Sequence, residues 1–379
     1  MLRAETFRPS ELGPFELAEW RAMLAANPAF RSPLLSPEFA LAVGAVRRDT
    51  WVSVFKRDGA TAGLLAYHRA WDGHARPVGA PFSDYHSLIT EPGAGLGLSE
   101  ALRAAGLKRL RYHSALDPEG VFEASAWERQ EAYAVDLQGR GVAAYCEALR
   151  ARSPKNPRRW RQLMNKLERE HGPIDLIAPD LSREALDMAL DWKSAQLRRT
   201  GLYNVLKPRW ARSLVDNLFA AQGQPFGGLL MTLRAGGRPI AAVFGPRQGA
   251  AYHTWIAAFD PEFATYRPGR LLHVQAFAQM DALGLDLFDM GPTHGHWKKS
   301  FVLEPQFTLS GLATAGAPAR RMTQANGRAG DLARRIAGRL EHIAAAEPSP
   351  IGRMRALADS AVFGWRRLGG PLEEAAAEA

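Results

Sequence analysis

The chain has 379 residues, more than a single hydrophobic core usually supports, and an apolar content of 46%, typical of a globular protein of two or more domains. No apolar run is long enough to span a bilayer and the first residues lack the apolar stretch of a signal peptide, so we expect a cytoplasmic location. The only cysteine, Cys146, excludes an intrachain disulfide and a cysteine-based zinc site. The formal net charge of +9 indicates an anionic partner, such as nucleotide phosphate, nucleic acid or lipid head groups.

Two segments predict β-hairpins of the same design. Residues 51–70 place apolar and β-branched residues on both sides of Asp58-Gly59, a dipeptide that favours the positive φ angles of a tight turn. Later in the chain, the same arrangement surrounds Gly236-Gly237. The sequence therefore predicts two related α/β domains, each built around a mostly antiparallel sheet.

The second hairpin is followed by a predicted strand, a helix and two short strands. The strand covers residues 250–259 and completes a meander. The helix should begin at Pro268 and end before Gly284, because proline is favoured in the first helical turn and glycine just past the last one. The two short strands are expected over residues 285–291 and 306–313.

A helix is also predicted between the two domains. Ser182 is a candidate N-cap and Gly201 a candidate C-terminal stop. Two stripes of side chains run along this helix, and a helix with two occupied faces should have two neighbours. One stripe consists of Leu186, Leu190 and Leu197, and the other of Met188, Trp192, Gln196 and Arg199.

Basic residues are concentrated in residues 150–169 and again after residue 318. The first segment is either a solvated helix face or a surface that contacts RNA phosphates. In the second segment, an apolar stripe alternates with arginines, and three interpretations stay open. The tail packs on the second domain as a pair of helices, lies on an anionic membrane surface, or binds a nucleotide. Its apolar stripe includes Leu332, Ile336, Leu340, Ile343, Ile351, Met354, Leu357 and Trp365.

The segment TYRPGRLL joins a predicted strand to the helix that begins at Pro268. A helix N-terminus presents free N–H groups to a phosphate, and Gly269 would allow close approach of the backbone. Arg267 and Arg270 could then pair with a pyrophosphate. The alternative is an ordinary helix that begins at a proline, with two solvated arginines.

The segment FDMGPTHGHWKKSF places Asp289 at the end of a buried strand, where polar side chains often project into a cleft. His294 and His296 could bind a metal together with His253, but no carboxylate and histidine pattern nearby completes a recognised site. His253 lies on a predicted central strand, so it is either a hydrogen-bonded core residue or a base.

Asp84 and Tyr85 follow a loop rich in proline and glycine in the first domain. They either contribute to a binding site or form a polar turn in which Asp84 bonds its own backbone. The G-x-S-x-G elbow, the Walker loop and the dinucleotide-binding glycine pattern do not occur in the sequence. Serine hydrolase and P-loop chemistry lose support accordingly.

Four motifs occur in a distinctive order and spacing: APFSDYHSLI, WKSAQLRRTG, YHTWIAAFDPEFATYRPGRLL and FDMGPTHGHWKKSF. Together they resemble the CelD/BcsL-like acyltransferases, a bacterial branch of the GNAT superfamily with FemAB-like duplicated domains, and within it the holdfast-polysaccharide N-acyltransferases. The resemblance spans roughly residues 30–312. It implies an α/β (α+β) protein with tandem GNAT-like domains at residues 1–140 and 203–315, a helical segment at 141–202 and a basic helical tail at 316–379.

The resemblance also implies a reaction. An acyl group would move from acetyl-CoA or another acyl-CoA to an amino or hydroxyl group of an exopolysaccharide or cell-surface polysaccharide precursor, which would be carried on a lipid. Such a transfer needs juxtaposed reactants, a hydrogen-bond donor to the developing oxyanion and an acceptor for the proton. Asp289 or His253 would accept the proton, and Lys298 or a backbone N–H would face the oxyanion.

The remaining site residues are assigned by substrate. Those expected to bind the donor are Tyr266, Arg267, Gly269 and Arg270. Those expected to line the acceptor side are Asp84, Tyr85, Trp192, Lys193, Gln196 and Arg199.

Two rival functions stay open. In the first, the protein is a FemAB-like transferase that uses aminoacyl-tRNA, which residues 150–169 would contact. In the second, catalysis is lost and the basic tail binds cyclic di-GMP as an effector or regulator of biofilm polysaccharide synthesis. Its candidate residues are Arg328, Asp331, Arg335 and Arg339, whose spacing resembles cyclic di-GMP motifs. The same tail could hold the protein at the periphery of the inner membrane.

Overall fold

The computed structural model describes residues 1–153, 155–292, 297–316 and 328–364, with side chains left out at 155–157, 328–335 and 359–364. The chain folds into two compact units. Unit 1 holds the described parts of residues 1–130, 207–214 and 307–366, and unit 2 holds those of residues 131–206 and 215–306. Unit 2 thus includes the predicted joining segment 141–202, and unit 1 includes the described part of the tail.

The described strands and helices follow in chain order. The strands are β1 Leu2–Phe7, β2 Thr50–Arg57, β3 Ala60–Arg69, β4 His74–Pro77, β5 Arg109–Ala115, β6 Ala126–Asp136, β7 Ile174–Ile177, β8 Phe226–Ala235, β9 Arg238–Gln248, β10 Ala251–His253, β11 Ile256–Phe259, β12 Leu287–Pro292 and β13 Gln306–Thr314. The α-helices are α1 Pro14–Ala26, α2 Pro37–Val46, α3 Leu98–Ala104, α4 Gly141–Arg152, α5 Lys155–His171, α6 Arg183–Arg199, α7 Arg209–Ala220, α8 Pro268–Ala278, α9 Arg328–Ala346 and α10 Pro350–Gly364.

Unit 1 is built on a sheet in the order β1-β2-β3-β4-β5-β13-β6. The pairs β1 with β2, β2 with β3, β3 with β4 and β5 with β13 are antiparallel, and β4 with β5 is parallel. The predicted hairpin is confirmed, because Asp58 and Gly59 join β2 to β3 with φ angles of 54° and 89°. Its core packs aromatic rings such as Phe55, Tyr67 and Tyr112 with residues of α3.

Unit 2 repeats this architecture with the order β6-β12-β10-β9-β8-β7, and β11 pairs with β9. The second predicted hairpin is also confirmed, since Gly236 and Gly237 join β8 to β9 with φ angles of 55° and 79°. The core of this unit, called here the α8 core, packs residues of α8 such as Leu271 and Phe277 on the sheet. The predicted fold class, tandem α/β units with mostly antiparallel sheets, is confirmed.

Two predicted helix starts are confirmed. The Ser182 hydroxyl accepts a hydrogen bond from the Ala185 N–H at 3.2 Å, and Gly201 follows α6 with a φ angle of 69°. Helix α8 begins at Pro268, but it ends at Ala278 and the chain continues in turns as far as Gly284.

The predicted strand over residues 250–259 is two strands. Thr254 and Trp255 lie between β10 and β11, outside both. The strand breaks here because the two residues bond different neighbours: the Thr254 N–H bonds the Asp289 carbonyl on β12, and the Trp255 N–H bonds the Phe244 carbonyl on β9. The prediction of one continuous strand is therefore wrong at its centre.

The described part of the tail packs in unit 1, so the prediction that it packs on the second domain is wrong. The last carbonyls of a helix lack partners within the helix. Arg47 donates to the carbonyl of Ala345 at 2.9 Å, and the Trp210 indole donates to that of Ala346 at 2.8 Å. Glu341 of α9 also pairs with Arg76 of β4 at 2.6 Å. No helix in the described ranges is long and apolar enough to cross a bilayer.

The imidazole of His86 is a destabilising feature of the unit 1 core. It is 3% exposed, packs edge-on against the Phe122 ring, and neither ring nitrogen bonds a described residue. Burial, with a smaller contribution from the charge of His113, lowers the pKa of His86 from 6.5 to about 3. Between pH 6.5 and about pH 3, His86 is protonated in the unfolded chain but stays neutral in the folded protein. The free energy of unfolding therefore falls as the pH falls.

Replacing His86 with leucine should remove this pH dependence. Between pH 6 and pH 4, the free energy of unfolding of the unmodified protein should fall by about 1.4 kcal/mol per pH unit more than that of His86→Leu. At pH 7 the variant should be at least as stable, because two unsatisfied nitrogens are gone. Urea titrations at several pH values measure both effects, and parallel pH profiles would contradict the expectation.

Candidate functional site

The strands at the centre of unit 2 separate after a short parallel pairing. β10 pairs with β12 in parallel, with Ala251, Tyr252 and His253 opposite Leu287, Phe288 and Asp289. Beyond this point the chain moves to β11, which among the described residues pairs with β9 alone. A wedge therefore opens between β11 and β12, and the pair His253 and Asp289 lies at its apex.

Gly245 makes the separation sterically feasible. It lies on β9 opposite the break, where a Cβ atom would collide with the carbonyl oxygen of His253 and come within 2.9 Å of the Trp255 nitrogen. Both obstacles are backbone atoms, which cannot rotate away as a side chain can. The residue at position 245 therefore has to be glycine for the chain to leave β12 here.

The two faces of the sheet at the apex differ in chemistry. The rings of Tyr252 and Phe288 belong to the α8 core. Because side chains alternate along a strand, His253 and Asp289 point to the opposite face. Helix α6 packs on β9 and β11, and its buried residues lie outside the α8 core, which places it on the face of His253 and Asp289.

His253 and Asp289 form a buried pair, with side chains 0% and 3% exposed. The Nδ1 atom of His253 lies 3.6 Å from Oδ1 of Asp289. The same carboxylate oxygen accepts the Gly291 N–H at 2.7 Å, which holds the carboxylate in place. This arrangement suits a proton acceptor, because a nearby carboxylate stabilises an imidazolium.

Lys298, expected to face the oxyanion, lies near the end of β12. Its Nζ donates to the carbonyl oxygen of Met290, and it lies 5.9 Å from the centre of the Trp297 ring. Met290 belongs to the α8 core. The structure thus places Lys298 beside the end of the strand that forms one side of the wedge.

The start of α8 carries a concentration of positive charge. Arg267, the N-cap, has left-handed φ and ψ angles of 54° and 53°, and Arg270 lies 5.7 Å over the Trp297 ring. Burial lowers the pKa of Arg270, and the charges of Arg267 and Arg159 lower it further. Arg159 is on α5, which packs against α8. The N–H groups of Arg270 and Leu271 bond the Arg267 carbonyl. The three guanidinium groups and the positive end of the helix dipole favour an anion at this position.

Tyr266 and Gly269 flank this helix start. The Tyr266 hydroxyl donates to Glu170 and bonds Nε2 of His171, both at the end of α5, and Lys166 lies 5.2 Å from the centre of its ring. The Gly269 carbonyl bonds Nδ1 of the buried His273 at 2.7 Å. The Tyr266 contacts hold the loop before α8 against α5, and the Gly269 bond lies within α8.

The outer edge of β11 offers backbone groups for pairing. The Asp260 N–H bonds the Ile240 carbonyl on β9 at 2.9 Å, and bonded residues alternate in an antiparallel pair. The backbone groups of Ala257 and Phe259 therefore point away from β9. Lys193 of α6 donates to the Ala257 carbonyl at 3.4 Å and to the Gln196 side chain at 3.1 Å. Lys193 and Gln196 thus lie at the edge of the wedge.

The other predicted acceptor residues are placed as follows. Trp192 is half-buried and Arg199 is exposed on α6 in unit 2. Asp84 and Tyr85 belong to unit 1, where Tyr85 is 1% exposed and its carbonyl accepts the Ser83 hydroxyl at 2.7 Å. The acceptor roles of these four residues stay predictions.

The predicted nucleotide and metal residues fall largely outside the described parts. The side chains of Arg328, Asp331 and Arg335 lie outside them, whereas Arg339 is half-buried on α9. His294 and His296 also lie outside the described residues. Within the described ranges, no group of three or more histidine, cysteine, aspartate or glutamate side chains could hold a metal ion.

Arg159 and Gly245 were not predicted as site residues. In the sequence, Arg159 is one of several basic residues in a segment that fits a solvated helix face or an RNA contact. Only the packing of α5 on α8 places it near Arg270. Gly245 ends the second predicted hairpin in an ordinary strand pattern, and no local signal indicates the backbone that approaches it.

Comparison with known proteins relates part of the chain to the acetyltransferase (GNAT) domain. Residues 154–299 match the family model of the acetyltransferase (GNAT) domain, a range that includes α5, α6, α8 and the wedge. No curated protein matches the chain. The structure of FemX superposes with a TM-score of 0.50 at 11% identity, over 81% of this chain and 96% of that one. This likeness shows the fold alone.

Two further solved structures are similar at lower scores. A tandem GNAT protein from the clavulanic acid biosynthesis pathway has a TM-score of 0.46 and 13% identity, over 84% of this chain and 100% of that one. L-PGS from Bacillus licheniformis has a TM-score of 0.47 and 13% identity, over 86% and 97%. Residues 154–299 thus match a GNAT acetyltransferase domain, and the fold of the chain is like that of FemX.

Substituting alanine at Gly245 should disrupt the wedge. The new Cβ would push the backbone of residues 253–255 away, and the free energy of unfolding should fall by about 1–3 kcal/mol. Gly316→Ala is the control, because a Cβ there meets nothing within 4 Å and its effect should stay within about 0.5 kcal/mol. Urea denaturation compares the two variants, and equal stability would refute the steric role of Gly245.

Proposed function

We propose that the protein is an N-acyltransferase that moves an acyl group from acyl-CoA to an amino group, or a hydroxyl group, of an exopolysaccharide or cell-surface polysaccharide precursor. The observation that carries the proposal is the wedge in the GNAT domain. It combines a cationic helix start on one face of the sheet with the buried pair of His253 and Asp289 on the other.

The donor fits the α8 face by charge and by shape. Its diphosphate would bind at the start of α8, where Arg159, Arg267 and Arg270 supply positive charge and the helix dipole adds to it. Its amide-bearing arm would extend along the outer edge of β11, which offers the backbone groups of Ala257 and Phe259. The thioester would then lie at the apex of the wedge.

The acceptor would approach from the face of α6. Its amine nitrogen attacks the thioester carbon, the carbonyl electron pair moves to oxygen, and the carbon–sulfur bond then breaks to release the thiolate. The amine proton passes to His253, whose positive charge Asp289 stabilises at 3.6 Å. Trp192 would stack on a sugar ring, while Lys193 and Gln196 would bond its hydroxyl groups.

The polysaccharide acceptor is supported by the resemblance of the four motifs and by the polar and aromatic side chains of α6. A holdfast-type precursor linked to a lipid would lie at the inner membrane, and the protein would meet it there. Binding of the tail to a membrane or to cyclic di-GMP is a separate proposal, and no contact of the described side chains supports it.

The aminoacyl-tRNA alternative is favoured by one observation. Arg159 and Lys166 of the basic helix α5 lie beside the start of α8, where they could contact RNA phosphates as well as a diphosphate. However, these few cationic side chains suit a compact anion such as a diphosphate better than an RNA backbone. A GNAT domain is also the type of domain that uses acyl-CoA. Transfer from charged tRNA but not from acyl-CoA would favour the alternative.

The transfer reaction is tested with acetyl-CoA and an amino sugar such as glucosamine, by measuring free CoA with a thiol reagent. We expect kcat to fall about 100-fold or more in His253→Ala and Asp289→Asn, because each removes part of the proton acceptor. Asp175→Asn, at an exposed position of β7, is the control and should keep full activity. Full activity in both site variants would remove the pair from the mechanism.

Donor binding is tested separately by calorimetry with CoA. Arg159→Ala and Arg270→Ala should each weaken CoA binding about 10-fold or more, because each removes a charge-assisted contact, and the loss should shrink at high salt. Arg161→Ala, on the same helix as Arg159 and exposed, is the matched control and should bind CoA normally. Equal affinity in all three variants would place the diphosphate elsewhere.

A further inference from the structure

Two buried hydroxyl groups lie at the break between β10 and β11. The Tyr252 ring is 0% exposed and packs against the Phe288 ring at 4.7 Å. The hydroxyls of Tyr252 and Thr254 are buried, and neither makes a hydrogen bond of good geometry to a described residue. Burial raises the pKa of Tyr252 and the Thr254 hydroxyl lowers it in part, so the two groups lie close together and Tyr252 stays protonated.

The two hydroxyls cannot satisfy each other completely. Each has one proton to donate. If Tyr252 donates to Thr254, the Thr254 proton has no acceptor, and the reverse arrangement leaves the Tyr252 proton unused. Buried hydroxyl groups in folded proteins almost always have partners, so an unused donor here indicates an acceptor that arrives with a ligand.

Thr254 lies where the two strands separate. Its N–H bonds the Asp289 carbonyl at 2.8 Å, the last bond between the two strands before the wedge opens. The Thr254 hydroxyl interacts with that of Tyr252, whose ring belongs to the α8 core, so Thr254 lies on the face on which α8 packs. Its hydroxyl is thus at the apex on the donor face, opposite His253 and Asp289.

We propose that Thr254, supported by Tyr252, donates a hydrogen bond to the thioester carbonyl oxygen of the acyl donor. This inference rests on the proposed function and adds the group that stabilises the oxyanion. When the amine attacks, the carbonyl electron pair moves to oxygen and the bond to Thr254 strengthens. When the carbonyl re-forms, the thiolate leaves. Thr254 transfers no proton in either step.

The experiment compares Thr254→Val, Thr254→Ser and Tyr252→Phe with the unmodified full-length protein, using acetyl-CoA and glucosamine. Removing a single oxyanion donor lowers kcat by about 100-fold or more, so we expect this loss in Thr254→Val with KM for acetyl-CoA changed less than about two-fold. Thr254→Ser keeps the hydroxyl and should restore most of kcat. Tyr252→Phe should lose less than Thr254→Val.

A second readout does not depend on turnover. The infrared stretch of the carbonyl in bound, carbon-13-labelled acetyl-CoA should lie at lower frequency in the unmodified protein and in Thr254→Ser than in Thr254→Val. Thr254→Val should also be at least as stable in urea as the unmodified protein, because it removes an unsatisfied hydroxyl.

Three results would overturn the proposal. One is an unchanged kcat or carbonyl frequency in Thr254→Val, which would mean that the hydroxyl binds only water. Another is a loss of kcat accompanied by lower stability and by failure of Thr254→Ser to restore activity, which would indicate a structural role. The third is that the unmodified protein does not bind acetyl-CoA. The proposed function would then be wrong, and so would the inference about Thr254, which rests on it.

Discussion

The separation of β10 from β12 after His253 and Asp289 is the constraint on which the rest of unit 2 depends. A strand at a sheet edge presents unpaired N–H and C=O groups. Here an edge of this kind lies inside the sheet. Up to the break the backbone is bonded, since the Thr254 N–H bonds Asp289 and the Trp255 N–H bonds Phe244, and beyond it the outer edge of β11 is available for pairing. The break is therefore part of the stable fold, with Gly245 providing the space for it.

This separation lets a single sheet keep two kinds of chemistry apart. The cations of α5 and α8 lie on one face, and the buried pair of His253 and Asp289 points to the other. On one shared face, two effects would disfavour a protonated histidine. The guanidinium groups would repel its positive charge, and an arginine could take Asp289 as its own partner. The sheet between them keeps both sets of interactions intact.

Each unit draws on separated parts of the chain. Strand β6 begins in unit 1 and ends in unit 2, and the chain returns to unit 1 from residue 307. The return is secured by polar contacts at the end of α9, where Arg47 and Trp210 bond its last carbonyls. Arg47 is itself 5% exposed and pairs with Asp49 at 2.6 Å, so its charge is compensated within the same unit. These contacts join the described tail to the N-terminal sheet.

The sequence by itself determined the features that depend on a few neighbouring residues. The turns at Asp58-Gly59 and Gly236-Gly237, the Ser182 cap and the start of α8 at Pro268 follow from local φ preferences and short-range hydrogen bonds. The motifs also marked Asp289 and His253 as a candidate site. Only the tertiary structure decided that β10 ends before Thr254, that Arg159 adds its charge to Arg270, and that α9 joins unit 1. Each of these depends on partners far away in sequence, such as Asp289 for Thr254 and Arg76 for Glu341, and no local pattern specifies which distant backbone or charge a residue will meet.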